Sequence, residues 1–382
     1  MSLIKQPKEN LIVIFLCGDV MTGRGIDQIL PHPSEPFIPE FYLSDAREYV
    51  KLAEQANGSI PDSVSFSYIW GDALEKWERI APDVKLINLE TSITKSNDYW
   101  RGKGINYRMN PDNIPCLTAA KIDCCSLANN HILDWGYSGL VETIASLKTA
   151  QIKNAGAGLN QQSAETPVIM EVKGKGRTII FSFGLTTSGI PVIWAAGKDK
   201  PGVNLLPDIS EQTVQDIQKQ VERVKQPGDL VVASIHWGGN WGYEIPLKQI
   251  EFAHQLIDHA GVDLIHGHSS HHVKGLEIYR DRLIIYGCGD FINDYEGISG
   301  HEAFRDDRGL MYFATLDSST GKLVNLEMIP TQIQRFRLQV ASTADLLWLK
   351  ALLNREGSRF ATEVQWDHNK TLTLEKRLKI SS

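Results

Sequence analysis

Residues 11–19 of the chain, LIVIFLCGD, form a continuous apolar run that ends in a glycine and an aspartate. Such a run is typical of a strand that is covered on both faces, as in a sheet layered with helices. It is far too short to span a membrane. As a signal peptide it would have a short hydrophobic region and no small-residue cleavage site after it. We therefore interpret residues 11–17 as a buried strand with Asp19 at its exit.

Four further segments have the same form, a short apolar run that ends in polar residues. They are residues 83–88 before Glu90, 122–127 before Asn130 and His131, 230–235 before His236, and 262–265 before His268. Apolar residues at helical spacing predict helices at 72–79, 137–150, 209–224 and 247–260. Because strands and helices alternate, the fold class is α/β, with a sheet layered against helices.

The chain of 382 residues suits one large domain or two small ones. Residues 31–67 are rich in proline, serine and acidic side chains, and we expect an insertion there that borders the site. From residue 334 the pattern changes to a strand, a helix and two short strands. We expect residues 11–330 to form the main domain and residues 331–382 a small α+β appendage packed on it.

Composition narrows the classes of partner. The formal net charge is -7, and no block of lysine or arginine could follow a phosphate backbone, which argues against nucleic acid. No apolar segment is long enough for a bilayer, so we expect no membrane partner and a cytoplasmic location. The five cysteines lie mostly in apolar stretches, which indicates buried free thiols.

Acidic, amide and imidazole side chains stand at the exits of the predicted strands. Ligands of layered α/β sheets bind beyond the carboxyl ends of the strands, so we expect these side chains to converge. Two carboxylates, one amide oxygen and three imidazoles suit one or two divalent transition metal ions, Mn, Fe or Zn, which can share a carboxylate. The predicted metal ligands are Asp19, Glu90, Asn130, His236, His268 and His271.

Each ligand assignment has a structural alternative. Asp19 is also compatible with a turn, and Asn130 with a helix cap. A structural role for His236 is about as plausible as a ligand role, and Asn88 is an alternative to Glu90. The strongest local signal is residues 266–272, HGHSSHH, since four histidines around a glycine are seldom structural. Not all four are ligands, and we expect His266 or His272 to face away or to support a ligand.

Several motifs also carry a resemblance to a known family. They are GDVMTGRG (18–25), INLETSIT (87–94), ANNHILDWGYSGL (128–140), AGAGLN (155–160), IHWGGNWGYE (235–244), GVDLIHGHSSHH (261–272) and LIIYGCGDFINDYEG (283–297). The chain resembles the capsule biosynthesis proteins associated with poly-γ-glutamate, a branch of the calcineurin-like metallophosphoesterase superfamily. The resemblance implies an α/β/β/α sandwich and a metal site at the strand exits.

The superfamily pattern is matched only in part. By position, Asp19, Asn130, His236, His268 and His271 stand where the resemblance implies metal ligands, and His131 stands where a histidine acts on the leaving group. Three positions depart from the pattern. Met21 replaces a histidine, and residues 88–90 (NLE) stand where a glycine followed by an aspartate is usual. The last two histidines are separated by two residues instead of one. The first change removes a ligand from one of the two metals.

The resemblance and the predicted ligands together indicate metal-dependent hydrolysis, with a phosphoester of a small anionic or polyanionic substrate as the target. His131 would be the general acid, and Asp134 would either orient it or cap the following helix. Arg24 is a candidate to hold an anionic group of the substrate. Two alternatives remain: a non-catalytic metal-binding accessory protein of poly-γ-glutamate metabolism, and a γ-glutamyl amide hydrolase that uses the same metal site.

Overall fold

The computed structural model describes residues 10–367 and 369–377. The strands are β1 Leu11–Val20, β2 Val84–Leu89, β3 Ser92–Ile93, β4 Arg108–Met109, β5 Cys124–Ser126, β6 Lys153–Ala155, β7 Ala157–Gly158, β8 Val168–Val172, β9 Gly176–Gly184, β10 Gly202–Val203, β11 Asp229–His236, β12 Leu264–His268, β13 Leu276–Tyr279, β14 Arg282–Ile285, β15 Asp290–Ile292, β16 Arg308–Asp317, β17 Lys322–Gln334, β18 Arg337–Val340, β19 Thr362–Trp366 and β20 Leu372–Lys376. The α-helices are α1 Gly25–Ile29, α2 Arg47–Asn57, α3 Ala73–Ile80, α4 Pro115–Ala119, α5 Gly136–Thr149, α6 Gln161–Glu165, α7 Glu211–Glu222, α8 Leu247–Asp258 and α9 Thr343–Gly357.

Two mixed sheets carry the fold. The large sheet has the order β19-β20-β17-β16-β1-β2-β5-β6, with β15 also paired to β1 and β18 to β17. The small sheet has the order β13-β14-β12-β11-β9-β8. In the large sheet β1, β2, β5 and β6 are parallel, and in the small sheet β9, β11, β12 and β14 are parallel. The parallel strands of each sheet therefore present their carboxyl ends along one edge.

Side-chain alternation along β1 separates two of the apolar layers. Ile14 and Leu16 lie in the core between the two sheets, whereas Phe15 and Cys17 lie in the core between the large sheet and its helices. Successive side chains of a strand point to opposite faces, so a strand covered on both sides is apolar at every position. This is why residues 11–17 form an unbroken apolar run.

The small sheet repeats the arrangement on the other side. In β11, Leu230 and Val232 contribute to the core between the sheets, while Val231 and Ala233 pack toward helices α7 and α8 in an outer core. The layer order is thus helices, large sheet, small sheet, helices. The fold is an α/β/β/α sandwich, and the expected fold class is confirmed.

The elements predicted from apolar patterns are present with shifted ends. The first four predicted helices correspond to α3, α5, α7 and α8, and the strands to β1, β2, β5, β11 and β12. The segment 31–67, expected as an insertion, contains the helix α2, which buries Tyr49 and Ala53. Its polar composition concealed this helix, since only a narrow face of α2 is apolar.

The C-terminal segment continues the large sheet. Both β18 and β20 hydrogen-bond to β17, and β19 pairs with β20 at the sheet edge. Helix α9 contributes leucines, among them Leu346 and Leu349, to the core between the sheets. The described part of residues 331–382 thus shares both a sheet and a core with the residues before it.

The five cysteines are buried and free, as their apolar surroundings predicted. Across residues 10–367 and 369–377, every helix falls short of the length and apolarity that a bilayer crossing needs.

Candidate metal centre

The site lies where the carboxyl ends of both sheets meet. In the large sheet Asp19 of β1 stands beside Asn88 of β2, and in the small sheet His236 of β11 stands beside His268 of β12. A hydrogen bond of 2.7 Å between His266 Nε2 and the Cys17 carbonyl connects the two sheets next to these residues. The parallel strand ends therefore bring their polar side chains together, as expected for a layered α/β fold.

Two groups of three potential metal ligands share Asp19. One group is Asp19, His236 and His268, and the other is Asp19, His271 and Asp290. Within each group the potential ligand atoms lie within 4.8 Å of one another, and all of these residues are buried. A carboxylate common to two donor sets would allow one residue to bridge a pair of ions.

The carboxylate of Asp19 is held by two hydrogen bonds. Asn88 donates its side-chain N–H to Oδ1 at 2.7 Å, and the Ser269 backbone N–H donates to Oδ2 at 3.2 Å. The preceding Gly18 packs against the chain near Gly289, where a Cβ atom would lie 1.6 Å from the Gly289 carbonyl oxygen. Glycine at position 18 thus allows the close approach that places Asp19 beside Asp290.

The imidazoles of the first group face each other and the amide of Asn130. His236 Nδ1 lies 2.8 Å from His268 Nδ1, and His236 Nε2 lies 3.0 Å from Asn130 Oδ1. Burial lowers the pKa of both His236 and His268 well below the ordinary value, so both rings are neutral. Neutral imidazole is the form that binds a metal. Asn130 is therefore brought to the first group as an additional oxygen donor.

Buried carboxylates make the site favourable for a cation. Burial, and then the neighbouring Asp290, raise the pKa of Asp19, while burial and then Asp19 raise the pKa of Glu90 well above its ordinary value. Glu90 Oε1 lies 3.8 Å from Nε2 of His236, so this carboxylate borders the first group without belonging to it. Ionised carboxylates in such a site require a compensating positive charge, which a divalent ion would supply.

Asp290 is a candidate ligand that the sequence analysis did not assign. Its Oδ1 lies 2.9 Å from His271 Nδ1, and its Oδ2 accepts a hydrogen bond of 2.8 Å from Asn293. Burial lowers the pKa of His271, but the nearby carboxylates of Asp290, Asp19 and Asp306 together outweigh burial, and the pKa is raised. The signal was present, because the apolar run at residues 283–286 is followed by Gly-Cys-Gly-Asp, the same form as residues 11–19.

His131 and Asp134 form a hydrogen-bonded pair beside the first group. His131 Nδ1 lies 2.6 Å from Asp134 Oδ2, and His131 Nε2 lies 3.8 Å from Glu90 Oε1. Asp134 does not cap the following helix, since α5 has Trp135 at its N-cap position. Of the two roles considered for Asp134, the structure therefore favours orientation of His131.

Comparison with known proteins identifies the family. The family described as bacterial capsule synthesis protein PGA_cap matches residues 13–295. The chain belongs to this family.

Similar curated proteins carry related names. A probable polyglutamine synthesis accessory protein of Mycobacterium tuberculosis is 47% identical over 356 residues, which cover 93% of each chain. The capsule biosynthesis protein CapA of Bacillus anthracis is 24% identical over 337 residues, 87% of this chain and 70% of that protein. The PGA biosynthesis protein CapA of Bacillus subtilis is 29% identical over 216 residues, 56% of this chain and 54% of that protein. The resemblance to capsule biosynthesis proteins noted from the motifs is thereby confirmed.

Met21 stands where the resemblance drawn from the motifs implied a histidine. The side chain is buried, and its sulfur accepts a hydrogen bond of 3.7 Å from the Tyr295 hydroxyl. A thioether is a poor ligand for Mn, and it replaces a histidine in the expected set. Asp290 nevertheless leaves the second group with three potential donors.

Arg24 has a different place from the one expected for a substrate-binding residue. Its buried guanidinium is paired with Asp294 and, at 3.3 Å, with Glu40, and it lies over the ring of Tyr49 at 3.9 Å. These contacts surround the guanidinium within the protein. The expectation that Arg24 holds a substrate anion is therefore not supported, and the residue instead joins the segment before α2 to the loop after β15.

The two other histidines of the 266–272 motif lie outside both groups. His266 bonds the Cys17 carbonyl and lies 3.0 Å from the Ser234 hydroxyl, which in turn lies 2.9 Å from His268 Nε2. His272 stacks on Phe304. His266 thus supports His268 through Ser234, while His272 packs against an aromatic side chain.

Proposed function

We propose that this member of the capsule synthesis family is a metal-dependent hydrolase that cleaves a phosphoester of a small anionic or polyanionic substrate. The observation that carries the proposal is the sharing of Asp19 by two groups of buried donors, with the His131–Asp134 pair beside them. Acid, amide and imidazole donors in this combination suit Mn, Fe or Zn.

The residues that would hold the ions are those of the two groups, with Asn130 as a further donor to the first. When bound there, divalent ions would lower the pKa of a water molecule and neutralise charge on a phosphoryl oxygen. The chain itself keeps Asp19 in place through Asn88 and Ser269. Burial of these groups excludes bulk water and strengthens their electrostatic interactions.

His131 would act on the leaving group. Its Nε2 lies 3.8 Å from Glu90 Oε1, which borders the first donor group, whereas its Nδ1 is held on the opposite side by Asp134. This orientation directs Nε2 to the place where a leaving oxygen would lie. A positioned proton donor of this kind typically contributes about a hundredfold to ten-thousandfold in rate.

A second candidate function draws on the relatives. The M. tuberculosis protein is named a probable polyglutamine synthesis accessory protein. This name favours a γ-glutamyl amide substrate or a non-catalytic accessory role, either of which would use the same metal site. The phosphoester proposal differs from both in the bond that is cleaved. Substrate panels therefore separate the candidates directly.

The test uses protein purified without chelator and supplemented with Mn²⁺ or Zn²⁺. Aryl phosphates, alkyl phosphomonoesters and phosphodiesters form one panel, and γ-glutamyl peptides form the other. We expect turnover in the first panel that Asp19→Asn abolishes. Turnover confined to γ-glutamyl peptides would contradict phosphoester hydrolysis and indicate amide hydrolysis instead. A metal-loaded protein that is inactive on both panels would favour the accessory role.

A further inference from the structure

Two tyrosine side chains lie against two histidines of the site and meet at their hydroxyl groups. The ring of Tyr107 forms a T-shaped contact with His131, with ring centroids 4.6 Å apart. The ring of Tyr295 forms a similar contact with His271, with centroids 5.4 Å apart. The Tyr107 hydroxyl donates a hydrogen bond of 3.1 Å to the Tyr295 hydroxyl. The pair therefore connects the surroundings of the proposed proton donor to those of the second donor group.

The proton of the Tyr295 hydroxyl has only a weak acceptor. It is donated to the sulfur of Met21, 3.7 Å away, and a thioether accepts hydrogen bonds poorly. A hydroxyl proton rotates freely about the C–O bond, so a better acceptor nearby would take this hydrogen bond. Tyr295 is half-buried, whereas Tyr107 and Met21 have no exposed surface. Of the two tyrosines, Tyr295 is thus the one that a ligand can reach.

The Tyr295 hydroxyl is placed close to the second donor group by the pairing of β1 with β15. Asp19 pairs with Asp290 across these strands. Two residues beyond Asp19, the Met21 backbone N–H donates to the Ile292 carbonyl at 2.8 Å, and Tyr295 follows on the same segment. The resemblance implied a metal-binding histidine at position 21. The chain instead has a thioether there, with a hydroxyl donor against it.

Arg24 holds the two tyrosine rings in place. Its guanidinium lies 4.6 Å from the ring centroid of Tyr107 and 5.8 Å from that of Tyr295. The guanidinium is itself fixed by its ion pairs with Asp294 and Glu40. A cation over an aromatic face is attracted to the ring, so this buried arginine restrains both rings. The position of the Tyr295 hydroxyl is therefore set before any ligand binds.

We propose that Tyr295 is a substrate-binding residue that donates a hydrogen bond to an anionic phosphoryl oxygen at the second donor group. The assignment rests on the proposed phosphoester function. The phenol keeps its proton and exchanges the sulfur of Met21 for the phosphoryl oxygen. A hydrogen bond to an ionised acceptor is roughly twice as strong as one between neutral groups, so this exchange favours binding. Tyr107 supports the exchange because it donates to the Tyr295 oxygen and leaves the Tyr295 proton for the ligand.

The test is the affinity for inorganic phosphate, measured by calorimetry on protein loaded with Mn²⁺ and freed of excess ion. Tyr295→Phe keeps the ring against His271 and Arg24 and removes only the hydroxyl. Loss of a hydrogen bond to a charged group should raise the Kd for phosphate about tenfold to a hundredfold. Metal content and Tm should stay close to those of the wild type.

Two further variants separate this role from a general effect of losing a hydroxyl. Tyr107→Phe removes only the donor to Tyr295, and it should raise the Kd about twofold to tenfold, as expected for a bond between neutral groups. Tyr279→Phe is the matched control and should keep the wild-type Kd. The Tyr279 hydroxyl donates to Asp258 at 2.9 Å. Tyr279 pairs with Arg282 at the start of β14, whereas the site lies beyond the other end of the parallel strands.

Several results would overturn the assignment. A metal-loaded wild type that binds no phosphate contradicts it, and so does an unchanged Kd in Tyr295→Phe. Loss of metal from folded Tyr295→Phe contradicts it as well, since the hydroxyl would then serve the ions. If Tyr295→Phe does not fold, an unchanged Kd in Tyr107→Phe is the contradicting result.

The calorimetry requires no turnover, so it is independent of the test of the proposed function. Phosphate binding that depends on Tyr295, in a protein inactive on every phosphoester, would sink the proposed function and leave the anion-binding role of Tyr295 intact. Phosphoester turnover together with equal phosphate affinity in the wild type and Tyr295→Phe would do the reverse.

Discussion

The large and small sheets end in different side chains at the site. The large sheet contributes carboxylates, with Asp19 at the end of β1, Glu90 just after β2 and Asp290 at the start of β15. The small sheet contributes imidazoles, with His236 ending β11 and His268 ending β12. One sheet thus concentrates buried carboxylates, and the other supplies neutral nitrogen donors.

This difference explains why the site needs both sheets and a cation. The imidazoles of His236 and His268 are neutral because of burial, so they do not compensate the carboxylates. Donors of both kinds around one ion are typical of transition-metal sites. Asp19 belongs to both donor groups, and it is therefore the residue at which the two halves of the site depend on each other.

The largest effect on metal binding is expected for Asp19→Asn. The amide keeps the shape but removes the charge shared by the two groups, so neither group should bind an ion tightly. A ligand present at about 100 times its Kd stabilises a folded protein by about 2.7 kcal/mol. We therefore expect added Zn²⁺ to raise the Tm of the wild type and to leave the Tm of Asp19→Asn almost unchanged.

The control for this measurement is Asp123→Asn, just before β5 and away from the site, where the carboxylate accepts a hydrogen bond of 2.8 Å from the Lys85 backbone N–H. Its absolute Tm can fall, but its Zn²⁺-induced rise should match the wild type. If Asp19→Asn keeps the full rise in Tm, Asp19 is not a shared ligand.

A smaller effect is expected when one histidine is removed. His268 belongs to the first group and His271 to the second. Each alanine variant should therefore lose one ion of the pair and keep about one ion per chain. Elemental analysis after Mn²⁺ equilibration and gel filtration measures this loss. Equal, complete loss in both variants would show that the two groups do not bind ions separately.

His266→Ala should weaken metal binding less than His268→Ala does. His266 acts on the first group only through the Ser234 hydroxyl. Residues that orient a ligand without touching the metal typically change affinity by about tenfold to a hundredfold. Competition with a chromogenic chelator measures the Kd of each variant, and the reverse order of effects would mean that the roles of the two histidines are exchanged.

His131→Ala should have the smallest effect on metal binding and a large effect on turnover. His131 is absent from both donor groups, yet its Nε2 lies 3.8 Å from Glu90 Oε1, which borders the first group. We expect wild-type metal content and a kcat reduced about a hundredfold to ten-thousandfold on alkyl phosphates. The reduction should be milder on aryl phosphates, whose leaving groups need less stabilisation. Loss of metal from this variant would identify His131 as a ligand.

The part of the site that sequence could predict lies at the strand ends. Residues 11–19 combine an apolar strand with a polar exit, and the two-fold alternation of buried side chains explains why such a pattern identifies a strand covered on both faces. Asp290 has the same signal at 283–290 but was not assigned as a ligand, and it enters the site through its parallel pairing with Asp19.

Other features depend on tertiary contacts that no local pattern encodes. Lys103 lies in a polar loop, and only the folded chain brings its ammonium to His131. The buried pairing of Arg24 with Glu40 and Asp294 spans distant parts of the sequence, so an arginine near Asp19 suggested substrate binding instead. Likewise, the sequence pattern predicted C-terminal strands but not that β18 and β20 pair with β17 of the large sheet.

The most direct test of the central claim is the metal content of the wild-type protein. Protein purified without chelator, equilibrated with Mn²⁺ and freed of excess ion by gel filtration is analysed for bound metal per chain. Two donor groups that share Asp19 predict about two ions per chain at saturation. A well-folded protein that retains no ion under these conditions would contradict the account.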